Sequence, residues 1–461
     1  MEKYDAIIIG AGQAGIPLAK KLAKAGWKTA IIEKRLIGGT CINDGCTPTK
    51  TMIASARIAY LVKNSNKWGI TTDSYTVDMP AIVKRKDDIV ITSREGSEKN
   101  LQETKGLEVI FGEATFTGIK TLSVTLKQGD RRFLNADKLF IDTGAQPLIP
   151  PIQGIQDINY LTSTTILNLT EVPEHILIVG SGYIALEFGQ MYKRLGSKVT
   201  IVEKGEKFLS GEDEDVAETM KNILEEEGIR IYTKTQVSQV QQLNPTQINA
   251  TLSINNLTEE ISCSHLLVAT GRSPQIGSLN LDKTGVETDD KGYIQVNDRL
   301  ETTTEGIFAL GDVKGGPAFT HVSYNDYIIV WKNLLEGADL SIKNRLLPYC
   351  LFTDPQLGRL GLSEQEALQK GYQIKIAKLP MEHVARARET GETLGFMKAI
   401  VDIPSKRILG AAIIGTQGGE IMSVLQVAMM GGITYEQLRY AMFAHPTFSE
   451  SLNNLFMKIE E

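Results

Sequence analysis

The sequence predicts an α/β protein, because one strand–glycine loop–helix–strand pattern occurs twice along it. The first copy leads from an apolar stretch at residues 4–9, through GAGQAG at residues 10–15, to a second apolar stretch that ends at Glu33. The second copy leads from residues 175–179, through GSGYIA at residues 180–185, to Glu203. In each copy the acid lies 23 residues after the first glycine. A single GxGxxG is weak evidence, but two complete units with identical spacing predict two Rossmann-like dinucleotide-binding domains.

The glycines and the acid of each unit have different tasks in binding a dinucleotide. The glycines let the backbone approach a pyrophosphate at a helix N-terminus, where free N–H groups and the helix dipole favour an anion. The acid accepts hydrogen bonds from a ribose 2′-OH. Glu203 therefore favours NADH over NADPH, since a 2′-phosphate would meet a like charge, although Lys204 beside it leaves the preference open.

Each unit is closed by an apolar stretch that ends in Thr-Gly and a polar turn. These stretches are LFIDTGAQP at residues 139–147 and LLVATGRSP at residues 266–274. A third apolar stretch, GIFALGD at residues 306–312, ends in Gly311-Asp312. An acid at that position can bond a ribityl hydroxyl of a flavin, but on spacing alone Asp312 fits a helix N-cap equally well.

Cys41 and Cys46 lie in the run GGTCINDGCTPTK at residues 38–50. Five residues of α-helix rise about 7.5 Å, which exceeds the roughly 7 Å between Cα atoms that a disulfide bridges. The two thiols therefore meet only if the backbone departs from a straight helix, which Gly39, Gly45 and Pro48 permit. A disulfide closed under this constraint is predicted to be labile and redox-active.

Composition excludes several classes of protein. The chain has 461 residues, enough for three or four domains, and its net charge of −6 gives no support to nucleic-acid binding. Its apolar runs fall far short of the roughly 20 residues that span a bilayer, and residues 1–10 do not form a signal peptide. Only four cysteines occur, which argues for a reducing cytoplasm and against a disulfide scaffold.

Together these motifs resemble the class I pyridine nucleotide–disulfide oxidoreductases, and the likeness extends over essentially the whole chain. The motifs occur in the family's order and end with HPTFSE at residues 445–450. The resemblance implies bound FAD, NADH or NADPH as electron donor, and a homodimer whose active sites are shared between subunits. It also implies four segments: an FAD domain at 1–150 and 270–340, an NAD(P) domain at 151–269, and a C-terminal α/β dimerisation domain at 345–461.

The resemblance also assigns roles to single residues. Cys46 would be the flavin-side thiol and Cys41 the thiol that meets substrate, while Lys50 would pair with Glu187 beside the flavin. His445 and Glu450 would form an acid–base dyad that faces the active site of the other subunit, and Tyr183 would gate the nicotinamide pocket. His321 is expected near the flavin. The implied cofactor-binding residues are Gly10, Gly12, Gly15, Glu33, Thr40, Lys50, Thr143, Gly144, Gly311, Asp312, Gly180, Gly182, Tyr183, Ile184, Glu203 and Gly271.

Local differences favour one branch of the family, the hypothiocyanous acid reductases and reactive-chlorine-resistance proteins. LPYCL at residues 347–351 and SESLNNLF at residues 449–456 resemble that branch, and Asp44 stands where dihydrolipoamide dehydrogenases usually have an apolar residue. The substrate would then be a small oxidant, with hypothiocyanous acid as first choice. Three alternatives stay open: a dihydrolipoamide dehydrogenase, a mercuric-reductase-like enzyme without the C-terminal cysteine pair, and a flavin-based redox sensor. Arg386 and Arg388 fit a substrate contact and a solvated loop equally well.

Overall fold

The first part of the chain forms a mainly parallel sheet flanked by helices in the computed structural model, which describes residues 1–254 and 257–459. The elements are β1 (Glu2–Ile9), α1 (Gly15–Lys24), β2 (Thr29–Glu33), α2 (Gly39–Asn43), α3 (Cys46–Lys63), α4 (Met79–Gln102), β3 (Leu107–Gly118), β4 (Thr121–Leu126), β5 (Arg131–Ile141), β6 (Ala145–Pro147), and the later β14 (Arg272–Pro274), β15 (Ile307–Ala309) and α7 (Thr320–Glu336). Parallel strands pair in the order β3-β2-β1-β5-β15, and β4 joins β3 to β5 by antiparallel pairing.

A second glycine-loop unit forms its own parallel sheet beside an antiparallel three-stranded sheet. The elements are β7 (His175–Val179), α5 (Tyr183–Leu195), β8 (Lys198–Val202), α6 (Glu214–Glu226), β9 (Arg230–Tyr232), β10 (Thr235–Asn244), β11 (Gln247–Ile254), β12 (Leu257–Cys263) and β13 (His265–Val268). The parallel sheet has the order β13-β7-β8-β9. Its central strands are apolar runs that are buried on both faces, as parallel strands covered by helices require.

The last part of the chain is built on a five-stranded antiparallel sheet. The elements are β16 (Pro348–Leu351), β17 (Gln356–Gly361), α8 (Glu364–Gln369), β18 (Ile374–Pro380), α9 (Ala385–Thr390), β19 (Phe396–Asp402), β20 (Ile408–Gly415), α10 (Gly418–Met430), α11 (Tyr435–Arg439) and α12 (Ser451–Met457). The strand order is β16-β17-β20-β19-β18, and the helices pack against the sheet through a separate apolar cluster. Among the described residues, no helix has both the length and the apolar character needed to cross a membrane. The predicted α/β class is confirmed.

The topology brings the chemical motifs to one edge of the first sheet. β1, β5 and β15 are adjacent and parallel, so their carboxyl ends meet there. The glycine loop follows β1, the segment beginning with Asp142 follows β5, and Gly311-Asp312 follows β15. This is the edge at which open α/β sheets bind ligands.

Buried ion pairs join the second unit to the C-terminal sheet. The ammonium group of Lys398 on β19 is almost fully buried and contacts Asp215 at 2.7 Å, Asp213 at 3.5 Å, and Glu364. Lys378 on β18 also binds Asp215 at 2.7 Å, but its side chain is 42% exposed. The two lysines therefore make the same contact in different surroundings.

We expect Lys398→Met to lower the free energy of unfolding by about 3 kcal/mol, because it removes a buried cation that Asp213, Asp215 and Glu364 share. Lys378→Met is the matched control and should cost less than about 1 kcal/mol, since water screens an exposed pair. Urea denaturation of the two variants measures both values. Equal small losses in both variants would show that burial does not increase the contribution of Lys398 to the free energy of unfolding.

Candidate active site

A single cavity of about 550 Å³ runs from the first glycine loop to the dithiol. Gly10, Gly12 and Glu33 line one end, and Cys41 and Cys46 line the other. Its volume lies in the range of ligand pockets. The cavity therefore connects the predicted dinucleotide site with the predicted reactive thiols.

Close backbone packing shapes the glycine-loop end of this cavity. Gly10 has φ of +106°, and a methyl group on Gly39 would come within 2.9 Å of the Gly12 Cα atom. Glu33 Oε2 holds the loop by accepting the Ala11 N–H at 2.9 Å, and Oε1 accepts the Arg35 N–H at 2.7 Å in the segment after β2. Glu33 thus lies where the sequence pattern puts the ribose acceptor.

Asp142 lies beneath the same loop, and the sequence interpretation gave it no role. Its Oδ2 accepts the Gly15 N–H, the first of α1, at 2.7 Å. Burial, followed by nearby acids, raises the pKa of Asp142 well above its usual range. The sequence signal that could have identified Asp142 is an ionisable residue directly after the wholly apolar end of β5.

The residues at this end of the cavity fit FAD. The glycines leave a cradle that side chains would fill, the Thr143 hydroxyl oxygen is buried without a partner among the described residues, and Asp312 lines the cavity. Asp312 lies within the short 3-10 helix Gly311–Lys314, and the residue that caps α7 is Phe319. The N-cap interpretation of Asp312 is therefore wrong. Thr40, Gly144 and Lys50 also line the cavity, whereas Gly15 and Gly311 lie behind its wall.

The backbone departs from a straight helix between the two thiols, as predicted. α2 ends at Asn43 and α3 begins at Cys46, because Gly45 has non-helical angles of φ −133° and ψ −115°. Both cysteines are free thiols in this structure. Cys46 Sγ lies 3.3 Å from the Thr320 hydroxyl at the start of α7.

The two thiols differ in acidity. The hydrogen bond from Cys41, then the Thr320 hydroxyl and the charge of Lys50, lower the pKa of Cys46 to about 6. The same contact with Cys46, together with burial, raises the pKa of Cys41. At neutral pH the pair therefore holds its thiolate on Cys46. Burial raises the pKa of Cys263 and of Cys350 to about 12.

Lys50 and Glu187 form an ion pair beside the dithiol. Lys50 Nζ donates to Glu187 Oε2 at 2.7 Å, and Glu187 Oε1 accepts the Phe352 N–H at 2.9 Å. The Glu187 side chain is 3% exposed. The two residues that the resemblance pairs are in contact, while their position beside a flavin stays a prediction.

Aromatic rings line the cavity next to this ion pair. Tyr183 at the start of α5 lies 5.7 Å from Phe319, and burial raises its pKa to about 12. Phe319 also stacks on His321 at 5.3 Å and on Tyr349 at 5.5 Å. His321 therefore lies at the cavity. Phe319, Thr320 and Tyr349 were missed because a sequence pattern does not show contacts with distant segments.

The second glycine loop lies outside this cavity, but the helix that follows it reaches the wall. Tyr183 and Ile184 line the cavity, whereas Gly180, Gly182 and Gly271 do not. Glu203 does not line it either. It accepts hydrogen bonds from the Ser181 N–H at 3.0 Å and the Ser181 hydroxyl at 2.7 Å, so it holds the second loop as Glu33 holds the first.

His445 and Glu450 contact each other outside the cavity that the dithiol of their own chain lines. His445 Nδ1 lies 2.9 Å from Glu450 Oε2, and the His445 side chain is 68% exposed. Neither residue lines the cavity. Arg386 and Arg388 are exposed on α9, outside the cavity, and Arg386 pairs with Glu389 at 3.2 Å.

Known proteins match the chain over its length. Residues 4–326 match the family described as pyridine nucleotide-disulphide oxidoreductase, and residues 347–456 match the dimerisation domain of that family. A probable pyridine nucleotide-disulfide oxidoreductase of Escherichia coli, RclA, is 37% identical over the full length of both chains. A mercuric reductase of Staphylococcus aureus is 35% identical, over 97% of this chain and 81% of that protein. A dihydrolipoyl dehydrogenase of Chlorobaculum tepidum is 32% identical, over 98% and 96%.

A solved structure also matches. The copper(II) complex of the HOCl-induced flavoprotein disulfide reductase RclA from Escherichia coli has a TM-score of 0.91, with 99% of each chain covered and 37% identity. The two structures therefore also agree in how the segments of the chain are arranged.

We expect Thr320→Val to raise the pKa of Cys46 by about one unit, because the thiolate loses a hydrogen-bond donor. Cys41→Ala should raise it further, since the Cys41 thiol is the largest stabilising contact. Ultraviolet absorbance of the thiolate, followed against pH in the reduced protein, measures the shift. Cys46→Ser supplies the baseline, and an unchanged titration in both variants would contradict the assignment of the thiolate.

Proposed function

The chain belongs to the pyridine nucleotide-disulphide oxidoreductase family, and we propose that it reduces a small electrophilic oxidant with electrons from NAD(P)H. Hypothiocyanous acid is the preferred candidate. The observation that carries the proposal is the stabilised Cys46 thiolate, which shares a cavity with the glycine loop fitted to FAD. The Escherichia coli relative of matching structure is an HOCl-induced disulfide reductase, which supports a role in oxidative defence.

The proposed reaction uses the two thiols in sequence. Cys41 loses its proton, its sulfur bonds to the electrophilic sulfur of hypothiocyanous acid, and the hydroxyl group leaves as water. The Cys46 thiolate then attacks Cys41 Sγ, which forms the Cys41–Cys46 disulfide and expels thiocyanate. When bound, FAD carries two electrons from NAD(P)H to this disulfide.

Cys41 requires a base, because its own pKa is raised. In the proposed homodimer His445 of a second copy takes this proton, and Glu450 fixes the orientation of the imidazole ring. Neither residue of the dyad lines the cavity of its own chain, which favours this arrangement. Lys50 adds positive charge near the Cys46 thiolate, and Glu187 holds Lys50 in place.

The proposed cofactor and domain assignments follow the same family. Residues 1–150 and 270–340 hold FAD, residues 151–269 hold the nicotinamide nucleotide, and residues 345–461 form the dimer contact. Glu203 favours NADH, because its carboxylate contacts the second glycine loop at Ser181 and, as the ribose acceptor of this unit, would repel a 2′-phosphate. The low number of cysteines supports a cytoplasmic location.

Dihydrolipoamide oxidation is the second candidate. Glu203 and the His445–Glu450 pair suit it, and a dihydrolipoyl dehydrogenase is among the relatives. Mercuric ion reduction is a third candidate, because a mercuric reductase is among the relatives, and it has weaker support because residues 351–461 hold no cysteine. A stoichiometric redox sensor would have no need of the complete set of thiols, nucleotide loops and dyad.

Parallel assays with NADH and NADPH would test the substrate. We expect repeated turnover with hypothiocyanous acid that exceeds turnover with lipoamide, oxidised glutathione or mercuric ion, and a preference for NADH. Cys41→Ser is the control for oxidation of NADH or NADPH that does not pass through the dithiol. Fast lipoamide turnover without hypothiocyanous acid activity would replace the main proposal, and a single stoichiometric oxidation of NADH would favour the sensor.

The proposed roles of the thiols predict different spectra for two serine variants. Cys46→Ser should abolish the long-wavelength thiolate-to-flavin absorbance of the reduced protein, because it removes the flavin-side thiolate. Cys41→Ser should preserve this band, since Cys46 remains. Absorbance spectra after one equivalent of NADH measure both, and the reverse pattern would exchange the roles of the two thiols.

A further inference from the structure

One buried carboxyl group beneath the first glycine loop has no part in the proposed reaction. Asp142 directly follows β5, and its backbone N–H donates to the Ile9 carbonyl at 2.8 Å. Because β5 lies between β1 and β15, Asp142 lies between the loop after β1 and the 3-10 helix after β15. The carboxyl group is therefore part of the floor of the dinucleotide site.

The carboxyl group of Asp142 lies in space that is free because Gly12, Gly15 and Gly311 have no side chain. A methyl group on Gly12 would lie 2.8 Å from Oδ2, one on Gly15 would lie 2.9 Å from Oδ2, and one on Gly311 would lie 2.9 Å from Oδ1. Oδ2 also accepts the Gly15 N–H at 2.7 Å. Asp142 thus contacts the underside of the loop that is expected to hold a diphosphate.

The charged side chains that face Asp142 are themselves acids. Glu33 ends β2, Asp312 lies in the 3-10 helix, and Asp326 lies on α7. The α1 helix offers the positive end of its dipole, through the Gly15 N–H. Within residues 1–254 and 257–459, no cationic side chain is seen in contact with Asp142. The nearby cations bind the other acids, in the pairs Arg272–Asp312 at 3.9 Å, Lys314–Asp326 at 3.3 Å and Arg345–Asp326 at 2.7 Å.

A diphosphate adds further negative charge at this loop. An ionised Asp142 would compete with it for the positive end of α1 and would repel it in a site of low dielectric constant. The neutral acid keeps an oxygen that accepts the Gly15 N–H. Burial and the surrounding acids raise the pKa of Asp142 and outweigh the Gly15 hydrogen bond, which lowers it, so that the neutral form is favoured.

We propose that Asp142 is a positioning residue that stays a neutral acid while FAD is bound, and that its ionisation weakens FAD binding. This inference rests on the FAD site of the proposed function. Because the neutral form prevails below the pKa of the folded protein, FAD affinity should fall as pH rises through that pKa. Asparagine has the same shape and cannot ionise.

The test measures the FAD dissociation constant by flavin fluorescence, with the full-length FAD-free protein, from about pH 6 to about pH 9. In the wild type we expect the constant to rise by up to about tenfold per pH unit above the pKa of Asp142. Asp142→Asn should keep the tight binding of low pH across the range. The matched control is Asp130→Asn, at an exposed acid just before the same strand, and it should retain the wild-type slope.

Infrared spectroscopy gives a second readout. The FAD-loaded wild type at neutral pH should show the carbonyl stretch of a protonated carboxylic acid, which Asp142→Asn should lack. A flat wild-type profile, or a wild-type slope in Asp142→Asn, would overturn the inference and leave the proposed function standing. A chain that binds no FAD at any pH would overturn both. Should Asp142→Asn fail to fold, the wild-type profile alone decides.

Discussion

The contact between the buried polar face of α5 and the segment 352–354 fixes the geometry on which the site depends. Glu187 accepts the Phe352 N–H, Gln190 accepts the Asp354 N–H at 2.7 Å, and Arg194 binds Asp354 at 2.5 Å. The same three side chains face one side of the helix, at intervals of three and four residues. Lys50 and Arg57 of α3 also contact this region, through Glu187 and Asp354. Three segments that are distant in sequence are thereby held in register. Because buried charges without partners are costly, the arrangement tolerates little displacement.

This constraint explains how a cavity and an acidity difference arise together. Cys46 is the first residue of α3, and Thr320 is the first residue of α7, so the hydrogen bond between Cys46 and Thr320 joins two helix N-termini. N–H groups and dipoles at both ends favour negative charge on sulfur. Lys50 adds a full charge from the next turn of α3. The local sequence thus provides the Cys46 thiol, and contacts made by the tertiary fold lower its pKa so that it ionises.

The sequence predicted the features that depend on local spacing. The two glycine loops, their acids and the break between α2 and α3 each follow from residues within about one helix–strand unit. Asp142, Thr320 and Tyr349 could not be predicted in this way. Asp142 meets Gly15 across 127 positions, Cys46 meets Thr320 across 274, and Tyr349 meets Glu212 across 137. For Asp312, spacing left two possibilities; the position of the 3-10 helix excludes the N-cap, and the contact with a flavin stays a prediction.

The raised pKa values of Cys263 and Cys350 affect how well the protein withstands the oxidants that it is proposed to reduce. Oxidants react with thiolates far faster than with thiols. At neutral pH these two cysteines remain almost entirely protonated, and Cys263 is also screened from solvent. Oxidants would therefore react mainly with the Cys41–Cys46 pair. The product there is a disulfide, which can be reduced again. Cys263 and Cys350 thereby avoid the higher, irreversible oxidation states. The protein would then react with its oxidant repeatedly without damage at these two cysteines.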